Sequence, residues 1–361
     1  MVRNFNRLKI NRESIHFPSA NLLVWYDQEK RDLPWRKTSD PYRIWISEII
    51  LQQTRVDQGL PYYHRFLSKF KTVFDLAKAT EDEVLKTWEG LGYYSRARNL
   101  HFTAKYVVSE LNGLFPRDYE GLLALKGVGP YTAAAIGSIA YGLPTAVVDG
   151  NVYRVLARFF GIQTSIDETP TQKQIAGLAQ EILDKGRPAD FNQAVMELGA
   201  TICTPTGPNC GNCPLRGGCV AVQTNNQACL PIRSKKIKVR TRYFYYLVLF
   251  YKGETQVRRR PAGDIWQGLY EFPLIESDAS LSDEEILIAC NLNSDDVVKS
   301  VSDEYVHILS HQRIIARFIL VERKKLKNSN YITSAVNKLS SFAFPRLINR
   351  YLEKQNFVIY G

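Results

Sequence analysis

The sequence has little from which to build a membrane or exported protein. No apolar run approaches roughly eighteen residues in a chain of 361, and hydrophobic content is 45%, so no membrane span is expected. The basic N-terminus M-V-R-N-F-N-R-L-K-I is not followed by the apolar stretch of about 7 to 15 residues that a secretory signal requires. An intracellular, cytoplasmic protein is therefore expected, in a compartment where thiols stay reduced and a tight cysteine group binds metal more often than it forms disulfides. No self-similarity recurs at any period of about 20 to 50 residues, which excludes repeat architectures. Acidic residues are in deficit, 36 against 47 basic ones, for a net charge of +11. That balance points to a polyanionic partner such as nucleic acid. Part of the excess is local, in Arg233, Lys235, Lys236, Lys238 and Arg240 and again in Arg258, Arg259 and Arg260. Solvated linker or strand edge and phosphate contact both fit such runs.

The length implies two domains, and the texture changes between them. Asn21 to Lys30, Pro41 to Gln53, Glu81 to Glu89, Tyr94 to Leu111, Pro130 to Tyr141, Val152 to Phe160, Gln172 to Leu183 and Asn192 to Ile202 carry apolar residues at helical spacing. An all-α domain over 1–221 is expected. A polar connector over 222–239 leads into Y-F-Y-Y-L-V-L-F-Y, which ends at the turn signal Lys252-Gly253 before Thr255 to Val257. Strands at Val306 to Leu309 and Ile314 to Glu322, with helices at Asp283 to Cys290 and Phe344 to Lys354, make residues 240–361 an α+β domain.

Four stretches carry chemistry. Cys203, Cys210, Cys213 and Cys219 stand within seventeen residues as C-x6-C-x2-C-x5-C. Four thiolates there can enclose a zinc or an iron-sulfur cluster, and the second C-x2-C knuckle of a zinc ribbon is missing. In L-L-A-L-K-G-V-G-P-Y-T-A-A-A-I-G, Gly127, Val128 and Gly129 form a hairpin turn into a helix opening at Pro130. Free N–H groups at such a start can hold a phosphate oxygen without reading a base. Glu48 lies in an apolar helix, in W-I-S-E-I-I-L. Loss of water there raises a carboxyl pKa toward that of a general acid, whereas pairing with a buried Arg explains the residue equally well. Asp149, in V-V-D-G-N-V, stands where a helix N-cap belongs, and capping alone explains an Asp there.

These stretches, with R-D-L-P-W-R (31–36), W-E-G-L-G-Y-Y-S-R-A-R-N-L (88–100), W-Q-G-L-Y-E-F-P (266–273) and L-S-H (309–311), resemble the helix-hairpin-helix, iron-sulfur DNA glycosylases, and among them the MutY type that acts on adenine. The resemblance implies a 4Fe-4S cluster on the four cysteines and a Nudix-like C-terminal domain. It implies a monomeric, nucleoid-associated repair enzyme acting on double-stranded DNA with adenine opposite 8-oxoguanine or guanine. Glu48 matches the acid that protonates adenine and later activates water, Asp149 the carboxylate facing the cationic sugar, and Tyr131 a tyrosine hydrogen-bonded within that site. The logic is that of glycoside hydrolysis on a base flipped from the stack, into a pocket that Arg31 and Glu197 help to line. Gln53 and Tyr93 match residues that wedge around 8-oxoguanine, and Ser310 and His311 residues that bond to it.

Two departures qualify the resemblance. Leu309 replaces the family's Phe, which alters the packing beside Ser310. The R-E-x-x-E-E helix of active Nudix hydrolases is missing, which argues against pyrophosphatase activity. Tyr131 occupies the position at which lyase relatives carry a Schiff-base lysine, so a monofunctional enzyme is expected. An endonuclease III-like lyase and a non-catalytic iron-sulfur clamp on DNA are the competing readings.

Overall fold

The structure, a computed structural model, describes residues 16–234, 239–326 and 330–355. Lys235, Lys236 and Lys238 of the first basic run lie outside the described residues. Contacts divide the chain into two compact units, one drawn from 1–52 and 111–235, the other from 53–110 and 236–361. The helical half of the sequence thus contributes to both units.

Its helices, in order, are α1 (Ser19–Glu29), α2 (Pro41–Leu51), α3 (Val56–Lys69), α4 (Val73–Lys78), α5 (Glu81–Trp88), α6 (Ser95–Glu110), α7 (Tyr119–Leu123), α8 (Pro130–Tyr141), α9 (Gly150–Phe159), α10 (Thr169–Ile182), α11 (Pro188–Thr201) and the short α12 (Val220–Gln223). Periodicity locates the longer ones within a few residues. It misses α3, where Gly59 and Pro61 inside the helix read as breaks, and the short α4 and α7. In the first unit α1, α9, α10 and α11 enclose a core whose Phe17 meets Phe159 edge to face at 4.8 Å. α2 packs on α8, and α8 on α11.

In the second unit, α3 to α6 accompany a mixed sheet of β1 (Arg240–Tyr251), β2 (Glu254–Arg259), β3 (Tyr270–Glu271), β4 (Leu274–Ser277), β5 (Val297–Val301), β6 (Tyr305–Ile308), β7 (Gln312–Glu322) and β8 (Ile332–Ala335), with α13 (Asp283–Ala289) and α14 (Arg346–Lys354). The order is β3-β2-β1-β7-β5, with β4 on β1, β6 on β7 and β8 on β2. β1 and β7 run parallel from Arg240 opposite Gln312 to Phe250 opposite Glu322. β1 is apolar without alternation because both its faces are covered. Phe244, Tyr246 and Val248 join Leu347, Ile348 and Tyr351 of α14, while Tyr245, Leu247 and Leu249 join Ile286 of α13. The expected hairpin forms with Lys252 and Gly253 both left-handed, φ 45° and 78°, the conformations of a type I′ turn.

The second basic run closes β2, and each of its cations is ion-paired. Arg258 pairs with Glu271, Arg259 with Glu81, and Arg260 with Asp264 and Glu271. Local sequence showed only the cations; their acids arrive from β3, α5 and the loop after β2.

Candidate active site

The Asp40 side chain caps α2 by accepting from the Tyr42 N–H at 3.0 Å, and Pro41 opens the first turn. Ile44 to Ile50 are buried, and Glu48 with them, 6% exposed. Among the described residues Glu48 forms no ion pair, so the buried-Arg explanation fails. Its partner is Tyr131, the second residue of α8, whose hydroxyl donates to Glu48 Oε2 at 2.6 Å and approaches Met196 Sδ at 3.6 Å. Burial pushes the Glu48 carboxyl up to about 7, the Tyr131 hydrogen bond opposes the shift, and the charge of Asp149 adds to it. Burial, then the charges of Glu48 and Asp149, hold the Tyr131 phenol well above its ordinary value. It therefore remains a donor.

Asp149 does cap α9, accepting from the Val152 N–H at 2.8 Å and from Asn151 Nδ2 at 2.7 Å. Burial raises its pKa, and these donors oppose the rise. Capping and proximity to Glu48 thus coexist. Two residues of this site went unassigned from sequence. Asn151 holds Asp149 Oδ2, and Arg154 Nη2 in turn holds Asn151 Oδ1 at 2.8 Å while its Nε donates to the Cys203 carbonyl at 2.7 Å. A Cβ at Gly199 would come within 2.5 Å of the Asn151 side chain, so α11 approaches α9 closely only because that position is glycine. The signal lay in N-V-Y-R, which puts Asn151 and Arg154 one turn apart on α9.

Arg31 and Glu197 meet each other. Glu197, 1% exposed, accepts from Arg31 Nε and Nη2 and from Arg36 Nη2, all at 2.7 Å. Burial alone would raise its pKa, but the two guanidinium groups reverse the shift and hold it at about 2. Arg36 is a further residue that sequence reasoning missed.

At the hairpin, Gly127 is left-handed (φ 80°), Val128 is buried, and Gly129 is the extended N-cap of α8. No atom lies within 4 Å of a Cβ built on Gly129, so the helix start is open to an approaching backbone. Because Tyr131 follows directly, the element able to grip phosphate also carries the Glu48 partner.

Cys203, Cys210, Cys213 and Cys219 line one cavity together with Arg158. Arg158, 2% exposed, donates to Cys203 Sγ at 3.3 Å and to the carbonyls of Thr204 and Leu230. Burial, reinforced by the neighbouring thiols, pushes Cys213 up to about 11. Among the described residues no group of three or more His, Cys, Asp or Glu is arranged to hold a single metal ion.

The second unit brings Tyr93 and Ser310 together: their hydroxyls share a hydrogen bond of 2.5 Å. Both line a cavity of about 490 Å³ with Trp266, His307 and His311. Ser310 and His311 form the turn between β6 and β7, closed by the Leu309 N–H to the Gln312 carbonyl at 2.8 Å. Leu309 packs inward on the core that includes Phe244 and Phe318. Gln53 is exposed and left-handed (φ 57°), and it is not part of this cavity's lining.

Residues 46–184 match the HhH-GPD superfamily base excision DNA repair protein family, and residues 245–354 the NUDIX domain family. The human adenine DNA glycosylase is 50% identical over 217 residues, which cover 58% of this chain and 40% of that protein. The chain thus spans about two fifths of that relative's length. The adenine DNA glycosylase of Buchnera aphidicola subsp. Schizaphis graminum is 33% identical, over 87% of this chain and 90% of its own. Among solved structures, a thermostable thymine-DNA glycosylase superposes with a TM-score of 0.52 at 32% identity, covering 57% of this chain and 94% of that one.

Proposed function

The chain belongs to the adenine DNA glycosylase family, and we propose that it excises adenine mispaired with 8-oxoguanine, or with guanine, from double-stranded DNA. The observation that carries this reading is the buried Glu48 carboxyl, titrating near neutrality, bonded to Tyr131 and electrostatically coupled to Asp149. Such a group is both proton donor and base at cellular pH. Glu48 in its acid form protonates N7 of the flipped adenine, and the C1′–N9 bond breaks with its electron pair leaving on the base. The Asp149 carboxylate faces the cationic sugar. Glu48 then takes a proton from the water that adds at C1′, which restores the acid. Tyr131 positions Glu48 and offers no amine for an imine, so the product is an abasic site in an intact strand.

Arg31 and Glu197 line the adenine pocket in this reading, with Glu197 fixing both guanidinium groups. Gly127, Val128 and Gly129 hold a phosphate at the start of α8, and Gln53, Tyr93, Ser310 and His311 face the lesion. We assign residues 1–221 to the glycosylase domain, 222–239 to the connector and 240–361 to the Nudix-like domain, in a monomer acting at the nucleoid. The cysteine cavity fits a 4Fe-4S cluster. Apart from Arg158 and Gln227, its lining is the four thiols and apolar side chains, and a multi-atom cluster holds four thiolates farther apart than one ion does. When bound, the cluster supplies a rigid cross-link of the loop from Cys203 to Cys219.

The test is incubation of the purified protein with duplexes carrying adenine opposite 8-oxoguanine, G, C or T, followed by alkali. Release should be fastest opposite 8-oxoguanine and next opposite G. Equal release opposite all four bases, or none, overturns the reading.

A further inference from the structure

Trp266 has a φ of 59°, where a bulky L-residue is a genuine outlier. Strain of this kind persists only when the surroundings over-determine it, and it concentrates at ligand sites. Here the surroundings are specific. Asp264 accepts a bidentate pair from Arg242, both bonds 2.7 Å, and a third from Arg260 at 2.6 Å. Arg260 Nε also holds the Ile265 carbonyl at 2.8 Å, and the Leu269 N–H donates to the Trp266 carbonyl at 3.0 Å. Both arginines are buried. The indole then meets His307 edge to face at 5.5 Å.

From this clamped backbone the indole, edge to face also with Phe244 at 6.1 Å, lines the cavity that Tyr93 and Ser310 also line. Tyr93 is the second strained aromatic there, with φ 48°. Arg98, which donates to the Gln267 carbonyl at 2.6 Å, and Arg346, paired with Glu353, complete a lining of aromatic faces, a hydroxyl pair and cations, and aromatic faces are the chemistry that receives a planar base. Sequence reasoning gave Trp266 no role.

We infer that Trp266 is a specificity-determining residue that apposes its indole to the oxidised purine. The inference rests on reading this cavity as the lesion site. A base–aromatic contact carries roughly a five- to hundredfold effect, so Trp266→Leu should lower the ratio of excision rates for adenine opposite 8-oxoguanine and opposite guanine by that factor. Trp266→Phe, which keeps a ring, should retain most of the ratio. A duplex with 8-oxoguanine opposite a non-hydrolysable adenine deoxynucleotide analogue should quench tryptophan emission more than its undamaged counterpart, and Trp266→Phe should lose that excess.

An unchanged ratio in Trp266→Leu overturns the inference, as does excess quenching that survives in Trp266→Phe. Should Trp266→Leu misfold, seen as a lowered unfolding temperature with parallel loss on both substrates, the fluorescence of Trp266→Phe decides. The double variant Ser310→Ala, His311→Ala separates the two levels. If it keeps the ratio, the lesion reading of the cavity falls and this inference with it; if it loses the ratio while Trp266→Leu keeps it, only the role of Trp266 falls.

Discussion

Replacing Glu48 by Gln removes the transferable proton and leaves the shape. The amide oxygen can still accept from Tyr131, whose hydroxyl lies 2.6 Å from Oε2, so the α2–α8 packing should persist. General acid–base catalysis is worth about 10²- to 10⁴-fold, so adenine release should fall at least about a hundredfold, or roughly 2.7 kcal/mol of barrier. Stability should move the other way. The Glu48 pKa rises on folding from 4.5 to about 7, so the folded state binds more protons between those values. Its favourable contribution is therefore complete below about 4.5 and lost as pH rises through about 7, a swing on the order of 3 kcal/mol. Glu48→Gln escapes that loss, and at pH 8 to 9 it should be the more stable protein by up to about that amount. Single-turnover excision across pH 5 to 9 and denaturant unfolding at both ends of that range test the two claims. Wild-type excision should decline above about pH 7, roughly tenfold per unit at the limit. Excision by the variant near the wild-type rate would refute the assignment, and a variant destabilised at every pH would show that the carboxylate is a structural partner.

Asp149→Asn can still cap α9 through its amide oxygen, so it should fold and bind DNA yet be nearly inactive; retained excision in a single-turnover assay would reduce Asp149 to a cap. Borohydride should trap little protein on DNA, because Tyr131 replaces the amine a Schiff base needs; efficient trapping that vanishes in Lys126→Ala would relocate the nucleophile. Iron and acid-labile sulfide should each measure about four per chain, and one zinc without iron would refute the cluster. Glu197→Gln deprives the partly buried Arg36 and half-exposed Arg31 of their buried counter-charge, so it should lower stability by about 3–5 kcal/mol as read by denaturant unfolding; an unchanged midpoint would contradict the clamp.

What the sequence alone determined here is what short-range physics governs. Helical period and the Gly129-Pro130 start located α8 from Pro130 to Tyr141, and Lys252-Gly253 located the hairpin turn. The spacing of Cys203, Cys210, Cys213 and Cys219 foretold four thiols around one cavity. Partners were another matter. From its own stretch Glu48 fitted a desolvated acid and the partner of a buried arginine equally, until α2 packed on α8 and brought Tyr131 across 83 residues of chain. Glu197 carried no local sign of its partner; α11 set it against Arg31, 166 residues away. Arg258, Arg259 and Arg260 left linker, strand edge and phosphate contact open alike, because their acids lie on other elements. The left-handed Trp266 has no local signature, since it exists only where Arg242 and Arg260 clamp Asp264. Backbone propensity acts over a few residues, whereas the choice of partner for a buried charge depends on which surfaces the whole chain packs together. Only the tertiary structure makes that choice.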